Sequence, residues 1–107
     1  MTGYLHVYTT VDSADAAESL ARSILGARLA ACVQIIGPVR SLYWWEGVLD
    51  AAQEWQLVIK TPAADYPALE AHLTAGHSYT TPEIVATEIV AGSPAYLRWL
   101  DAPDQAV

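Results

Sequence analysis

Apolar and polar positions alternate from Tyr4 to Val11, with Leu5, Val7 and Thr9 on one side and Tyr4, His6 and Tyr8 on the other. That period predicts a strand. Asp12-Ser13 then offers a helix cap, and Ala17, Leu20, Ala21, Ile24 and Leu25 recur at helical spacing toward an end expected near Arg28. Glu18 and Arg22 stand four apart and form an exposed supporting pair. Two ribbons follow, Leu29 to Gly47 and Val48 to Pro62, rich in the Val, Ile, Leu, Tyr and Trp that suit a pleated surface. Each is longer than the usual strand of ~3–10 residues, so together they predict a long hairpin. Gly37-Pro38 interrupts the first ribbon, and a bulge or kink is expected there because proline cannot donate to a ladder. The turn falls within Glu46 to Ala52, the return strand runs through Gln53 to Thr61, and Pro62 stops it.

A second helix is expected with Asp65 as its cap and Pro67 in its first turn. It directs Leu69 and Leu73, with Ala68 and Ala75, inward and ends at Gly76. The loop His77 to Pro82 leads to a fourth strand, Glu83 to Val90, and Ala91-Gly92-Ser93-Pro94 turns into a short helix from Ala95 to Leu100. The tail from Asp101 reads as polar and frayed. The order is β-α-β-β-α-β plus a terminal helix in one domain over residues 1–107. This is an α+β, ferredoxin-like arrangement of four antiparallel strands with two helices on one face.

The consecutive aromatics Tyr43, Trp44 and Trp45 must point to opposite sides of the outer hairpin, with Trp55 on the returning strand. One small domain covers one of those sides, so the other predicts a partner copy. Composition strengthens the point: 53% of residues are hydrophobic and only 16% charged, against ~25% in ordinary globular chains.

Twelve acidic residues stand against five dispersed basic ones, a net charge of −7. That balance excludes the basic stripe of a nucleic-acid binder and the polybasic segment of a membrane-surface protein. No apolar run reaches the ~18 residues of a membrane span free of turn residues and charges. The single cysteine, Cys32, rules out an internal disulfide and a paired-cysteine zinc motif. With no secretory signal pattern at Met1-Thr2-Gly3-Tyr4, a reducing cytoplasm is the expected location.

Candidate chemistry is sparse. His72 and His77, five apart on a helix, would sit ~140° from each other and could not hold one ion. Cys32, His77 and Glu83 offer sulfur, nitrogen and oxygen ligands suited to copper or zinc, while Cys32 also reads as a small core residue and Glu83 as a solvated one. Lys60, the only lysine, either anchors an anion or pairs with a carboxylate such as Glu54 or Glu83. The aromatics Tyr43, Trp44, Trp45, Trp55, Tyr79 and Trp99 suit either ligand stacking or a subunit interface. No nucleophile elbow, phosphate-binding glycine loop or acid–base pair can be named, which leaves a catalytic reading without residues.

These residues resemble the CutA divalent-cation tolerance family over nearly the whole chain. Leu29-Ala30-Ala31-Cys32-Val33 is similar to the start of its second strand, and Ser41-Leu42-Tyr43-Trp44-Trp45-Glu46-Gly47 to its S-x-Y-x-W-x-G stretch. Glu54 and Lys60-Thr61 fall where the family has E and KT. His77-Ser78-Tyr79 with Pro82-Glu83-Ile84, and Gly92 followed by Tyr96-Leu97-Arg98-Trp99-Leu100, resemble its later motifs. Gln34, Gly37-Pro38, Ser78 and Thr80 depart from the pattern, the last removing a glutamate and with it an oxygen ligand. The resemblance implies a homotrimer built like the PII signalling proteins, associated with copper or another weakly bound divalent cation. Its inter-subunit clefts would use Lys60, Tyr79, Trp99 and Tyr43 toward a ligand and Cys32, His77 and Glu83 toward metal. The alternative it leaves open is a PII-like module that binds an anionic metabolite in those clefts.

Overall fold

A computed structural model describes residues 3–103. Strand β1 spans Tyr4–Val11, helix α1 Ala14–Gly26, β2 Cys32–Trp45, β3 Val48–Pro62, α2 Tyr66–Gly76, β4 Val85–Glu88 and α3 Pro94–Asp101. The sheet runs β2-β3-β1-β4 and every neighbouring pair is antiparallel. This is the ferredoxin-like architecture that the order of elements predicts. The tail expected to fray from Asp101 is helical at that residue, the last of α3, and its part beyond Pro103 lies outside the described residues.

Helix α1 begins where Ser13 Oγ accepts the Ala16 N–H, satisfying one of the free donors of the first turn. It ends at Gly26, slightly before the expected position, and Arg28 turns the chain with a φ of 61°. Its apolar stripe of Ala17, Leu20, Ala21 and Ile24 meets Val7, Val11, Leu57 and Ile59 of the sheet and Leu69 and Leu73 of α2. Each fully buried Leu or Ile contributes about 1.5–3 kcal/mol of transfer free energy, and this cluster is the core. The exposed pair Glu18–Arg22 forms at 3.1 Å.

Three expectations need correction. Asp65 takes the N-cap position of α2, but its backbone is already helical at the end of a single 3₁₀ turn, Ala63–Asp65, and its carboxylate makes no cap bond. Ala68 and Ala75 are exposed, because only the i, i+4 row of Leu69 and Leu73 faces the sheet. Strand β4 is four residues rather than eight, since it finds partners only along Leu5–Tyr8 of β1 and one further bond, Ile89 N–H to the Tyr4 carbonyl.

The hairpin turns on two residues, Glu46 and Gly47, both at positive φ (50° and 79°). That pairing suits the twist of tightly connected strands, and it extends the ladder back to Val48. At Gly37-Pro38, a cis peptide, β2 carries one residue more than β3 between the pairs Ile36↔Gln56 and Val39↔Glu54. The bulge is the expected one. Gly37 is required there by a close approach: a Cβ would run into the indole of Trp55.

The helices cover one face of the sheet and only its near half. On the other face lie His6 and Tyr8 of β1, Lys60 of β3 and Cys32 of β2, crossed by α3 alone. The outer hairpin projects beyond both helices, leaving Trp44 74% and Trp45 60% exposed beside Leu42, Val48 and Leu49. The radius of gyration is accordingly 14.7 Å, against roughly 13 Å for a compact chain of this length.

Replacing Gly37 with alanine is expected to destabilise the fold by about 1–3 kcal/mol through the forced displacement of Trp55. Thermal unfolding of Gly37→Ala beside the parent chain measures it, and an unchanged midpoint would contradict the close approach.

Candidate functional site

The candidate residues gather at two places, one on the open face of the sheet and the other around the end of β1, where His77 reaches Thr9 on the helix-covered side. At the first, the register sets His6 of β1 and Cys32 of β2 on either side of Lys60 of β3. Helix α3 lies across them. Its start is fixed by Ser93, whose Oγ accepts the Tyr96 N–H, and Tyr4 OH donates to Asp101 at its far end. Lys60 Nζ stands 5.8 Å from the centre of the Tyr96 ring, within cation–π reach. The Tyr96 and Trp99 rings are tilted neighbours 5.7 Å apart. Burial, and then the charge of Lys60, hold the His6 imidazole below its ordinary pKa, so the ring is neutral near pH 7.

At the second place the loop after α2 folds back over the end of β1. His77 Nε2 lies 2.9 Å from the Thr10 carbonyl and 3.1 Å from Thr9 Oγ1, while Nδ1 receives the Tyr79 N–H at 3.0 Å. A carbonyl only accepts and a backbone N–H only donates, so this network assigns the proton to Nε2 and the lone pair to Nδ1. Tyr79 in turn donates its hydroxyl to Glu54 Oε2 at 2.8 Å. Glu54 is 9% exposed. Burial first, then the bond to Glu54 and the charges of Glu54 and Asp12, with a contribution from Tyr43, push the Tyr79 phenol far above its ordinary range. Buried Thr9 thus has His77 as its partner, and buried Thr61 donates to the Leu29 carbonyl.

Lys60, Cys32 and Trp99 therefore belong to the first place, and His77, Tyr79 and Tyr43 to the second. Glu54 and Lys60 lie six positions apart on β3, about 20 Å of strand. Neither Glu54 nor Glu83 pairs with Lys60; among the described residues the one ion pair is Arg22–Glu18. Within one chain Cys32, His77 and Glu83 do not come together, and among the described residues no three His, Cys, Asp or Glu side chains are grouped to hold a metal. Glu83 is exposed, and both nitrogens of His77 are engaged, so a metal at that ring displaces a hydrogen bond. The sequence reading did not anticipate the bond between Tyr79 and Glu54, nor His6 and Tyr96 beside Lys60. The alternation of β1 does place His6 on the face opposite Val7.

The Tyr79–Glu54 pair makes two measurable statements. Tyr79→Phe leaves a nearly buried carboxylate without its donor and is expected to lower stability by about 1–3 kcal/mol in chemical unfolding. Because folding raises the phenol's pKa, its contribution is complete below the unfolded value of about 10 and is lost as pH rises above it. Stability of the parent chain should fall more steeply above about pH 10 than that of Tyr79→Phe. The variant keeps a residual slope, since Tyr4, bonded to Asp101, and Tyr66, bonded to Glu70, are raised as well.

No helix among the described residues is long and apolar enough to cross a membrane. Residues 5–103 match the family of the CutA1 divalent ion tolerance protein. The chain is 44% identical over 94 residues to a chloroplastic CutA 1 protein of Oryza sativa, an alignment that takes in 88% of this chain and 53% of that one. It thus spans about half the length of its plant relatives. Over 95 residues it is 40% identical to the divalent-cation tolerance protein CutA of Archaeoglobus fulgidus, covering 89% of this chain and 92% of the other. The solved divalent cation tolerance protein of Thermus thermophilus superposes with a TM-score of 0.87 at 40% identity, over 91% of this chain and 94% of that one. A CutA1 structure from Oryza sativa gives 0.90 at 41%, over 94% of each. Motifs, strand order and these likenesses agree, and the chain belongs to the CutA1 divalent ion tolerance family.

Proposed function

We propose that this chain is the subunit of a homotrimer that binds a divalent cation weakly, copper or one of similar preference, and so contributes to divalent-cation tolerance. The observation that carries the reading is the uncovered surface: one sheet face is crossed only by the short α3, and both sides of the outer hairpin have no cover of their own. A chain with Trp44, Trp45, Leu42, Val48 and Leu49 in water at once presents more apolar area than a lone domain ordinarily leaves exposed. Assembly of copies through these ribbons removes it. Interfaces of that kind form with the subunit's own folding rather than after it.

Cys32 and His77 lie far apart within one chain, so a cleft between copies is where Cys32 of one subunit would meet His77 and Glu83 of another. Soft thiolate, imidazole and carboxylate together favour copper or zinc over magnesium or calcium. The same clefts would hold Lys60, Tyr79, Trp99 and Tyr43. No reaction is assigned to them. The compartment is part of the proposal: a lone cysteine suits a reducing cytoplasm, whereas the plant relatives are named chloroplastic and the Archaeoglobus fulgidus structure periplasmic.

Sedimentation equilibrium is expected to give three times 11.5 kDa at low concentration, and a folded species of 11.5 kDa would refute assembly. Trp45→Glu is expected to yield insoluble or unfolded chain rather than a folded monomer. Copper titration of the purified protein should saturate in the micromolar range and weaken at least about tenfold, roughly 1.4 kcal/mol, in the Cys32→Ala, His77→Ala double variant. Unaltered binding in that variant would remove the proposed ligands.

A further inference from the structure

Lys60 is the single lysine of a chain carrying twelve acidic residues, yet no carboxylate of the described residues lies within ion-pair distance of it. Its half-buried stem rises between His6 and Cys32, and its ammonium meets the ring of Tyr96 instead. A cation held against an aromatic ring keeps most of its attraction for an anion, because the ring's quadrupole does not neutralise the charge. The next group, His6, is neutral and so brings a ring N–H rather than a second charge. Trp99, stacked behind Tyr96, continues the aromatic wall.

We propose that the corner formed by Lys60, His6, Tyr96 and Trp99 is a binding site for a small organic monocarboxylate with an apolar or aromatic body. The ammonium takes one carboxylate oxygen, the His6 N–H suits the other, and the rings of α3 pack on the body. One fixed positive charge balances one negative charge. A phosphate would ask for more, namely an arginine fork or a cluster of backbone N–H groups at a glycine-rich turn, and this corner has neither. All four residues come from one chain, and the corner adjoins Cys32, the strand neighbour of Lys60, within the clefts proposed above.

The test is a titration of the full chain with benzoate, benzamide and inorganic phosphate, followed by backbone and indole N–H chemical shifts. Benzoate is expected to saturate in the millimolar range, moving Lys60, Tyr96 and Trp99, while benzamide and phosphate leave them in place. Lys60→Met should weaken benzoate at least about tenfold, the worth of one charge-assisted hydrogen bond. Lys60→Arg should retain most of the binding, and Tyr96→Leu should weaken it by less than Lys60→Met. Should Lys60→Met fail to fold, Lys60→Arg and Tyr96→Leu decide the matter alone. Benzamide or phosphate binding as well as benzoate, no saturation with benzoate, or equal binding by Lys60→Met would overturn the proposal. A benzoate titration of the Cys32→Ala, His77→Ala double variant, expected to match the parent, separates this site from the metal reading.

Discussion

Two helices cannot cover a hairpin whose strands run fourteen and fifteen residues. Helices α1 and α2 shield one side of the near half of that ladder, and everything else about the molecule follows from what they leave open. The core lies under them, where Val7, Leu57 and Ile59 meet Ile24, Leu69 and Leu73. The opposite side keeps its polar and titratable groups accessible, crossed by the eight residues of α3. Beyond the helices the ribbon carries tryptophans on both sides, and its width of one hairpin gives it no interior.

Much of this was legible along the chain because it is local. Alternation marked β1, the spacing of Ala17, Leu20, Ala21 and Ile24 marked α1, and Gly37-Pro38 marked the bulge. The family resemblance rested on ordered motifs, and the strand order and superpositions agree with it. What could not be read was register. That Lys60 faces His6 on one side and Cys32 on the other depends on the alignment of three strands, which no single segment encodes. Glu54 looked like a partner for Lys60 and instead sits under Tyr79, since the loop after α2 folds over the end of β1. The alanines of α2 were misplaced for a related reason: alanine occurs equally well on either side of a helix, and leucine alone marked the buried row.

The open face beside Lys60 and the loop around the end of β1 differ in chemical character. One is basic and aromatic, with an ammonium and a neutral imidazole; the other is a hydrogen-bonded chain from the Thr10 carbonyl through His77 and Tyr79 to a carboxylate. In the second, each polar group is satisfied by the next, which leaves the ring nitrogens of His77 occupied. In the first, the charge of Lys60 has no opposite number among the described residues. A satisfied network suits the support of an interface, whereas an unbalanced charge suits reception of something from outside.

The extra residue at Gly37-Pro38 has an effect that reaches the tip of the ribbon. Before it, the even-numbered residues Cys32, Gln34 and Ile36 share a side with Gln56, Val58 and Lys60; after it, the odd-numbered Val39, Tyr43 and Trp45 share that side with Glu54, Asp50 and Val48. The bulge acts as a phase shifter. Loss of one residue there would exchange Trp44 for Trp45 on the side shared with Glu54 and disturb the seat of Trp55, which rests on Gly37 and against the core, so the length of this segment is tied both to the outer faces of the ribbon and to the fold beneath it.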